Sequence, residues 1–155
     1  MASDDINFHV YMLIELADPD GPDARRLLEA HAADMAARYD GSNWAGLGGR
    51  RDLLWLARDE DGAAVGCVAL RVLRADQVEV KHLFVLPEAR RRGVAAALMN
   101  ALEAEAASRR AAIVLETGTE QPEAIALYRG RGYADRGPYE GSDVNGDCSV
   151  YLERR

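Results

Sequence analysis

The sequence predicts an α/β (α+β) fold: one mixed, mostly antiparallel, twisted sheet of about seven strands with helices on both faces. Three observations carry this. Strand-length apolar runs and helix-spaced runs follow one another as strand, helix, loop, three strands, helix, strand, helix and two strands. The three successive strands follow one another through short turns, so they sit antiparallel in a row. A helix then separates the fourth strand from the fifth, and such a crossover makes those two strands parallel neighbours. At 155 residues the chain suits a single domain spanning 1–155.

Phe8 to Leu16 (FHVYMLIEL) reads as the first strand and is stopped by the turn formers Asp18, Pro19, Asp20, Gly21 and Pro22. Asp23 to about Tyr39 follows as an amphipathic helix. Leu28, Met35 and Tyr39 fall at helical spacing with Ala32 between them, and His31 shares that stripe. Gly41 to Gly49 has four glycines in nine residues and no period, which makes it a loop or a broken helix around Trp44. Leu53 to Arg58 and Val65 to Leu73 are strands joined by an Asp-Gly hairpin signal, Asp59 to Gly62. In the next strand, Gln77 to Leu86, strict alternation places Val78, Val80, His82 and Phe84 on one face and Glu79, Lys81, Leu83 and Val85 on the other. An Ala-rich helix runs from Val94 to about Ser108, ending in Arg109 and Arg110. Ala112 to Thr117 is a short strand. A helix opened by Gln121 and Pro122 ends at Gly130 or Gly132, with Gln121 as its expected cap. Tyr133 to Gly137 and Cys148 to Glu153 complete the sheet around a polar loop.

Composition narrows the function. Hydrophobic residues at 48% and charged residues at 29% describe a packed globular protein. A net charge of -7 argues against a nucleic acid or an anionic membrane as the main partner and favours cationic small molecules. The acidic segment Met1 to Asp5 does not resemble a secretory signal, and no apolar run approaches a membrane span, so a cytoplasmic protein is expected. Cys67 and Cys148 lie far apart without ligand spacing, so they read as buried reduced thiols and no metal site is expected.

The most informative segment is Arg90 to Ala95 (RRRGVA), where a strand end meets a helix N-terminus. Free first-turn N–H groups, the helix dipole and arginine side chains together suit a pyrophosphate. A plain basic turn is the alternative. No Gly-x-x-x-x-Gly-Lys-[Ser/Thr] loop exists, and Gly46 to Arg51 does not complete a dinucleotide fingerprint, which removes ATP and NAD.

Arg90-x-x-Gly93-x-Ala95 follows the strand end Leu83-Phe84-Val85-Leu86-Pro87-Glu88 and precedes Ala124-Ile125-Ala126-Leu127-Tyr128-Arg129 and Gly132-Tyr133. In that order the segments resemble the GNAT superfamily of acetyl-coenzyme A-dependent N-acetyltransferases, and Leu115 to Gly118 and Ser149 to Glu153 resemble an uncharacterised bacterial branch of it. The resemblance implies a transferase, an acyltransferase that moves the acetyl group of acetyl-CoA to a primary amine of a small molecule or peptide by direct attack in a ternary complex. A CoA-binding regulatory module without turnover is the alternative. It also implies acetyl-CoA as cosubstrate with no metal, and makes a homodimer a possible assembly that the sequence leaves open.

The resemblance carries over residue by residue. The main chain at Phe84 and Val85 would hold the pantetheine arm and the thioester oxygen, where negative charge develops during attack. Arg90, Arg91, Arg92, Gly93, Val94 and Ala95 would cradle the pyrophosphate. Gln121 stands where relatives often have Asn, and Arg131 is within reach of the 3′-phosphate. Tyr128 would donate to the leaving sulfur, since a phenol of pKa ~10 stays protonated beside a thiol of pKa about 8.5. Glu79 is the first candidate for the general base, with an ion pair to Lys81 as the competing role, and His82 is the second. His31, Tyr39, Trp44 and Tyr139 are candidates to border the acceptor. Neither cysteine has the cationic surroundings of a nucleophile.

Overall fold

The computed structural model describes residues 12–39, 49–142 and 146–155. The remaining part of the first predicted strand, Trp44 and most of the glycine-rich loop lie outside the described residues. Strands β1 (Leu13–Ala17), β2 (Leu53–Arg58), β3 (Ala64–Arg74), β4 (Gln77–Val85), β5 (Ala112–Gly118), β6 (Ala134–Arg136) and β7 (Ser149–Arg154) form one sheet in the order β1-β2-β3-β4-β5-β7-β6. Only β4 and β5 pair in parallel. Helices α1 (Pro22–Arg38), α2 (Val94–Ser108) and α3 (Pro122–Gly130) complete the order that the sequence predicts.

Alternation along the central strands divides the core in two. Trp55, Val68, Leu70, Val78, Val80, Ile113, Leu115 and Leu152 meet Val94, Leu98, Met99 and Leu102 of α2, together with Tyr128 and Tyr133. On the other face α1 lays Ala24 and Leu27 over Leu54, Leu56, Cys67, Ala69 and Phe84. Truncating a fully buried leucine such as Leu98 or Leu102 to alanine costs about 2–5 kcal/mol. Gly66 sets the seat of α2: a Cβ there would lie 3.0 Å from Val94 Cγ1 and 3.1 Å from the Phe84 carbonyl oxygen. A side chain at this position would push the first turn of α2 a few tenths of an ångström away from β3.

Three expectations are corrected. The buried stripe of α1 is Ala24, Leu27, His31 and Met35, one position away from the Leu28-based stripe, because β3 and β4 choose the face that is covered. Gln121 occupies the N-cap position of α3 but makes no side-chain cap bond. Strict alternation fails in β4: Cys67 pairs with Phe84 and Ala69 with Lys81, so β4 carries one extra residue, and His82 has φ 55. This β-bulge moves Phe84 to the α1 face and Val85 to the face of Val78 and Val80.

Candidate active site

The parallel pair is short. Gln77, Val78 and Glu79 pair with Ala112, Ile113 and Val114, and no residue of β4 beyond Glu79 pairs with β5. From there β4 stays with β3 up to Val85, while β5 runs with β7 up to Gly118. The sheet therefore forks, and the β5-facing main chain of β4 is left without a ladder partner. Such groups need another partner, either water or a bound extended chain.

At the mouth of the fork, Arg90 Nε donates to the Val85 carbonyl at 2.9 Å, and its guanidinium lies 5.8 Å from the Phe84 ring centroid and 3.6 Å from Asp34 of α1. Arg90 thus braces the strand end against α1. Arg91 and Arg92 are exposed, Arg91 has φ 63, and Gly93 caps α2 with φ 77 and nothing within 4 Å of a Cβ built on it. No side chain caps α2, so its first-turn N–H groups remain available beside this open glycine. Val94 is buried beneath them, and Ala95 is half-buried.

Tyr128 lies on α3, packed edge-to-face on Tyr133 at 5.6 Å between centroids. Its hydroxyl makes no hydrogen bond among the described residues. Burial pushes its pKa above the ordinary phenol value, so it is a proton donor at any physiological pH. At the start of α3, Gln121 Nε2 lies 3.3 Å from where a Cβ on Gly118 would stand. Arg38, near the end of α1, donates to the Glu120 carbonyl and pairs with Glu123, and a Cβ on Gly118 would collide with the Tyr39 hydroxyl. Since α1 rests on β3 and β4, its C-terminal end ties the two arms of the fork together on one face. Arg131 is engaged by Glu103 and Asn100.

Glu79 sits where the fork opens, 1% exposed. Its Oε2 accepts from the Tyr139 hydroxyl at 2.6 Å and from Arg71 Nη2 at 3.2 Å, and Oε1 lies 3.0 Å from Arg71 and 3.6 Å from Lys81 Nζ. Arg71 Nη2 also donates to the Gly141 carbonyl at 2.7 Å, which fastens the segment after β6 over β3 and β4. The Lys81 contact is legible from spacing; Arg71 and Tyr139 are not, because eight and sixty residues separate them from Glu79.

His82 is 9% exposed, and burial first, then His31, Lys81 and Arg51, lower its pKa to about 3. His31 is 7% exposed and, chiefly through burial, lowered to about 4. Both imidazoles are neutral at pH 7. Their centroids lie 6.2 Å apart, and His31 stacks on Phe84 at 5.0 Å. Cys67 donates to the His82 carbonyl at 3.5 Å, and burial raises its thiol to about 12, which rules out a thiolate nucleophile there.

A sheet forked between two parallel strands, with an uncapped helix N-terminus at the mouth, sets unpaired main chain beside N–H groups that favour an anion. The acetyltransferase (GNAT) family model matches residues 11–133, and the chain belongs to this family, which uses acetyl-CoA and transfers its acetyl group. It is 41% identical over 105 residues to "IAA acetyltransferase" of Azospirillum brasilense, covering 66% of this chain and 68% of the relative. A Klebsiella pneumoniae protein assigned as an acyl-CoA N-acyltransferase superposes with a TM-score of 0.76 at 28% identity, covering 92% of this chain and 96% of that one. A GNAT family acetyltransferase from Elizabethkingia anophelis, whose structure has acetyl-CoA bound, shares the fold at 17% identity and a TM-score of 0.65, covering 92% and 96%. Among the described residues no helix is long and apolar enough to cross a membrane.

Proposed function

We propose that the chain, acting as one domain, transfers the acetyl group of acetyl-CoA to a primary amine of a small molecule by direct attack in a ternary complex. The fork between β4 and β5 is the observation that carries this reading. It offers an extended thioester arm the unpaired main chain of β4.

Within that reading the residues present fit acetyl-CoA. The main chain at Phe84 and Val85 lines the arm at the mouth, and an N–H there stabilises the oxygen on which negative charge gathers as the amine adds. The uncapped first turn of α2, with Arg91, Arg92, Gly93, Val94 and Ala95, holds the diphosphate, and Arg90 keeps the strand end in place. Tyr128 supplies a proton or hydrogen bond to the sulfur as the C–S bond breaks.

The remaining proton is that of the ammonium group, which must leave before attack. Glu79 Oε2 already accepts from Tyr139 and Arg71, with Lys81 at ion-pair distance from Oε1, which favours a positioning role that fixes the wall of the acceptor side over direct proton abstraction. Arg51, which has no carboxylate partner among the described residues, adds positive charge beyond the Arg71–Lys81–Glu79 group, and such charge lowers the pKa of a nearby ammonium and favours the free amine.

The "IAA acetyltransferase" likeness adds support for a small-molecule acceptor. The test is thiol release from acetyl-CoA across an amine panel, with initial rates measured against both substrates. Intersecting reciprocal plots are expected. Parallel plots, the mark of an acyl-enzyme, would overturn direct transfer.

A further inference from the structure

One set of buried nitrogens on the α1 face of the fork has no hydrogen-bond partner among the described residues. His31 Nδ1, Arg51 Nε, Arg71 Nε and His82 Nε2 are each buried with no hydrogen bond among the described residues. They come from four separate segments and converge on one place. His31 and His82 face each other at 6.2 Å, the Asp52 N–H donates to the Leu70 carbonyl at 2.9 Å and so holds Arg51 alongside β3, and Arg71 and Lys81 lie against Gly49, two residues from Arg51. A buried polar nitrogen left unpaired costs about 1–3 kcal/mol, so several at one point mark a place where something else supplies the acceptors.

Arg71 and Lys81 share Glu79 as their counter-ion there, whereas Arg51 has no such partner among the described residues. Every other partly buried arginine among the described residues has a carboxylate partner: Arg38, Arg58, Arg71, Arg90, Arg131, Arg136 and Arg154 all do. The other arginines without one among the described residues, Arg25, Arg91, Arg92 and Arg110, are exposed to water. Arg51 alone is partly buried and has no counter-ion among the described residues. Two described acids on this face already have partners: Glu79 is committed to Tyr139 and Arg71, and Asp34 to Arg38 and Arg90. A partly desolvated guanidinium is costly without an anion, and its planar fork matches a carboxylate.

We infer that the acceptor is an amine that also carries a carboxylate, an α- or ω-amino acid, bound with its carboxylate on Arg51 beside His31 and His82. This rests on the acetyl-transfer reading and gives that site its substrate class. Whole-chain charge favours a cationic acceptor, but the -7 is spread over the surface, whereas recognition is set by the few charges that face the ligand. The neutral imidazoles fit the same occupant: each can donate one N–H to a carboxylate oxygen without adding a like charge beside Arg51.

The experiment compares α-amino acids, β-alanine and 4-aminobutyrate with their carboxamides as acceptors, in the wild type, Arg51→Ala and Arg51→Lys. A carboxamide differs from its acid by one charge and has the less basic amine, so chemistry alone favours the carboxamide. For the best acceptor, kcat/KM is expected to be roughly 10- to 100-fold higher for the acid, the worth of a charged hydrogen-bonded pair. Arg51→Ala should collapse that ratio through KM, and Arg51→Lys should restore part of it. Equal or better turnover of the carboxamides, or the same ratio in Arg51→Ala, overturns the inference. If no member is acetylated, melting of the protein saturated with acetyl-CoA decides: stabilisation by the acids alone, lost in Arg51→Ala, supports it, and no such difference overturns it. Failure of acetyl-CoA itself to raise the melting temperature would instead overturn the acetyl-transfer reading.

Discussion

The Tyr139 hydroxyl donates to Glu79 Oε2 at 2.6 Å, joining the loop after β6 to the point where β4 and β5 part. Because the carboxylate is buried, its donors hold it in place more firmly than surface partners would. Tyr139→Phe is expected to cost about 1.5–3 kcal/mol in urea denaturation, and Glu79→Gln about 3–5 kcal/mol, since it leaves Arg71 without its counter-ion. The double variant should cost less than the sum, and additive losses would show the two to be independent. In the pH profile of kcat, a positioning Glu79 predicts that Glu79→Gln lowers the whole curve without changing its shape. Loss of the rising limb would make Glu79 the base.

Tyr128 has a buried ring and a hydroxyl without a partner among the described residues. Removing that hydroxyl leaves packing on Tyr133 intact but deletes a donor needed when the sulfur leaves. Tyr128→Phe should therefore lower kcat about a hundredfold with an unchanged KM for acetyl-CoA. An unchanged kcat would reduce Tyr128 to a core aromatic.

Gly93 separates conformational from electrostatic effects. Its φ of 77 strains any side chain, yet the space around it is open. Gly93→Ala should lose about 1–2 kcal/mol of stability while acetyl-CoA affinity, measured by calorimetry, stays within a few-fold. Gly93→Asp should lose a similar stability but weaken acetyl-CoA binding about a hundredfold or more, because a carboxylate then stands at the diphosphate site. Equal affinities for the two variants would remove the diphosphate from this turn.

The buried histidines set an acid limit. Their pKa values fall from 6.5 to about 4 for His31 and about 3 for His82, so below pH 6.5 the unfolded chain binds protons that the folded chain does not. Stability is then full above pH 6.5 and falls as pH drops through the window toward 4. Between pH 6.5 and 5 each histidine should remove about 1–2 kcal/mol. The carboxylates Glu103 and Glu123, held low by arginine partners despite burial, lose their contribution only below about pH 4.5. Urea midpoints measured from pH 7.5 to 5 should therefore drop in the wild type, with a shallower slope in a His31→Gln/His82→Gln variant. A flat wild-type profile would show that the imidazoles titrate normally.

Much of the fold is legible in the chain because it is written locally. The alternation of strand and helix periods fixes the element order. The Asp59 to Gly62 turn makes its hairpin, with the Gly62 N–H bonded to the Asp59 carbonyl. The crossover through α2 makes β4 and β5 parallel neighbours. The segment from Arg90 to Ala95 announces an uncapped helix start, since glycine and arginine at a strand-to-helix junction are themselves the signal.

Other features depend on residues distant in the chain. The bulge at His82 answers the pairing needs of β3, so no pattern within Gln77 to Val85 reveals that Phe84 and Val85 exchange faces. The stripe of α1 is chosen by the strands beneath it. Glu79 is visible as an acid in the right strand, but its commitment to Arg71 and Tyr139 arises only when β3, β4 and the late loop meet. The isolation of Arg51 is equally invisible in a chain with 26 acidic residues, because a count of charges does not say which of them are near. Sequence by itself determined the elements, their order and the family motifs, since backbone periodicity and turn chemistry act over a few residues. Only the tertiary structure decided which side chains share a buried space, since hydrogen bonds and ion pairs act over a few ångströms whatever the separation along the chain.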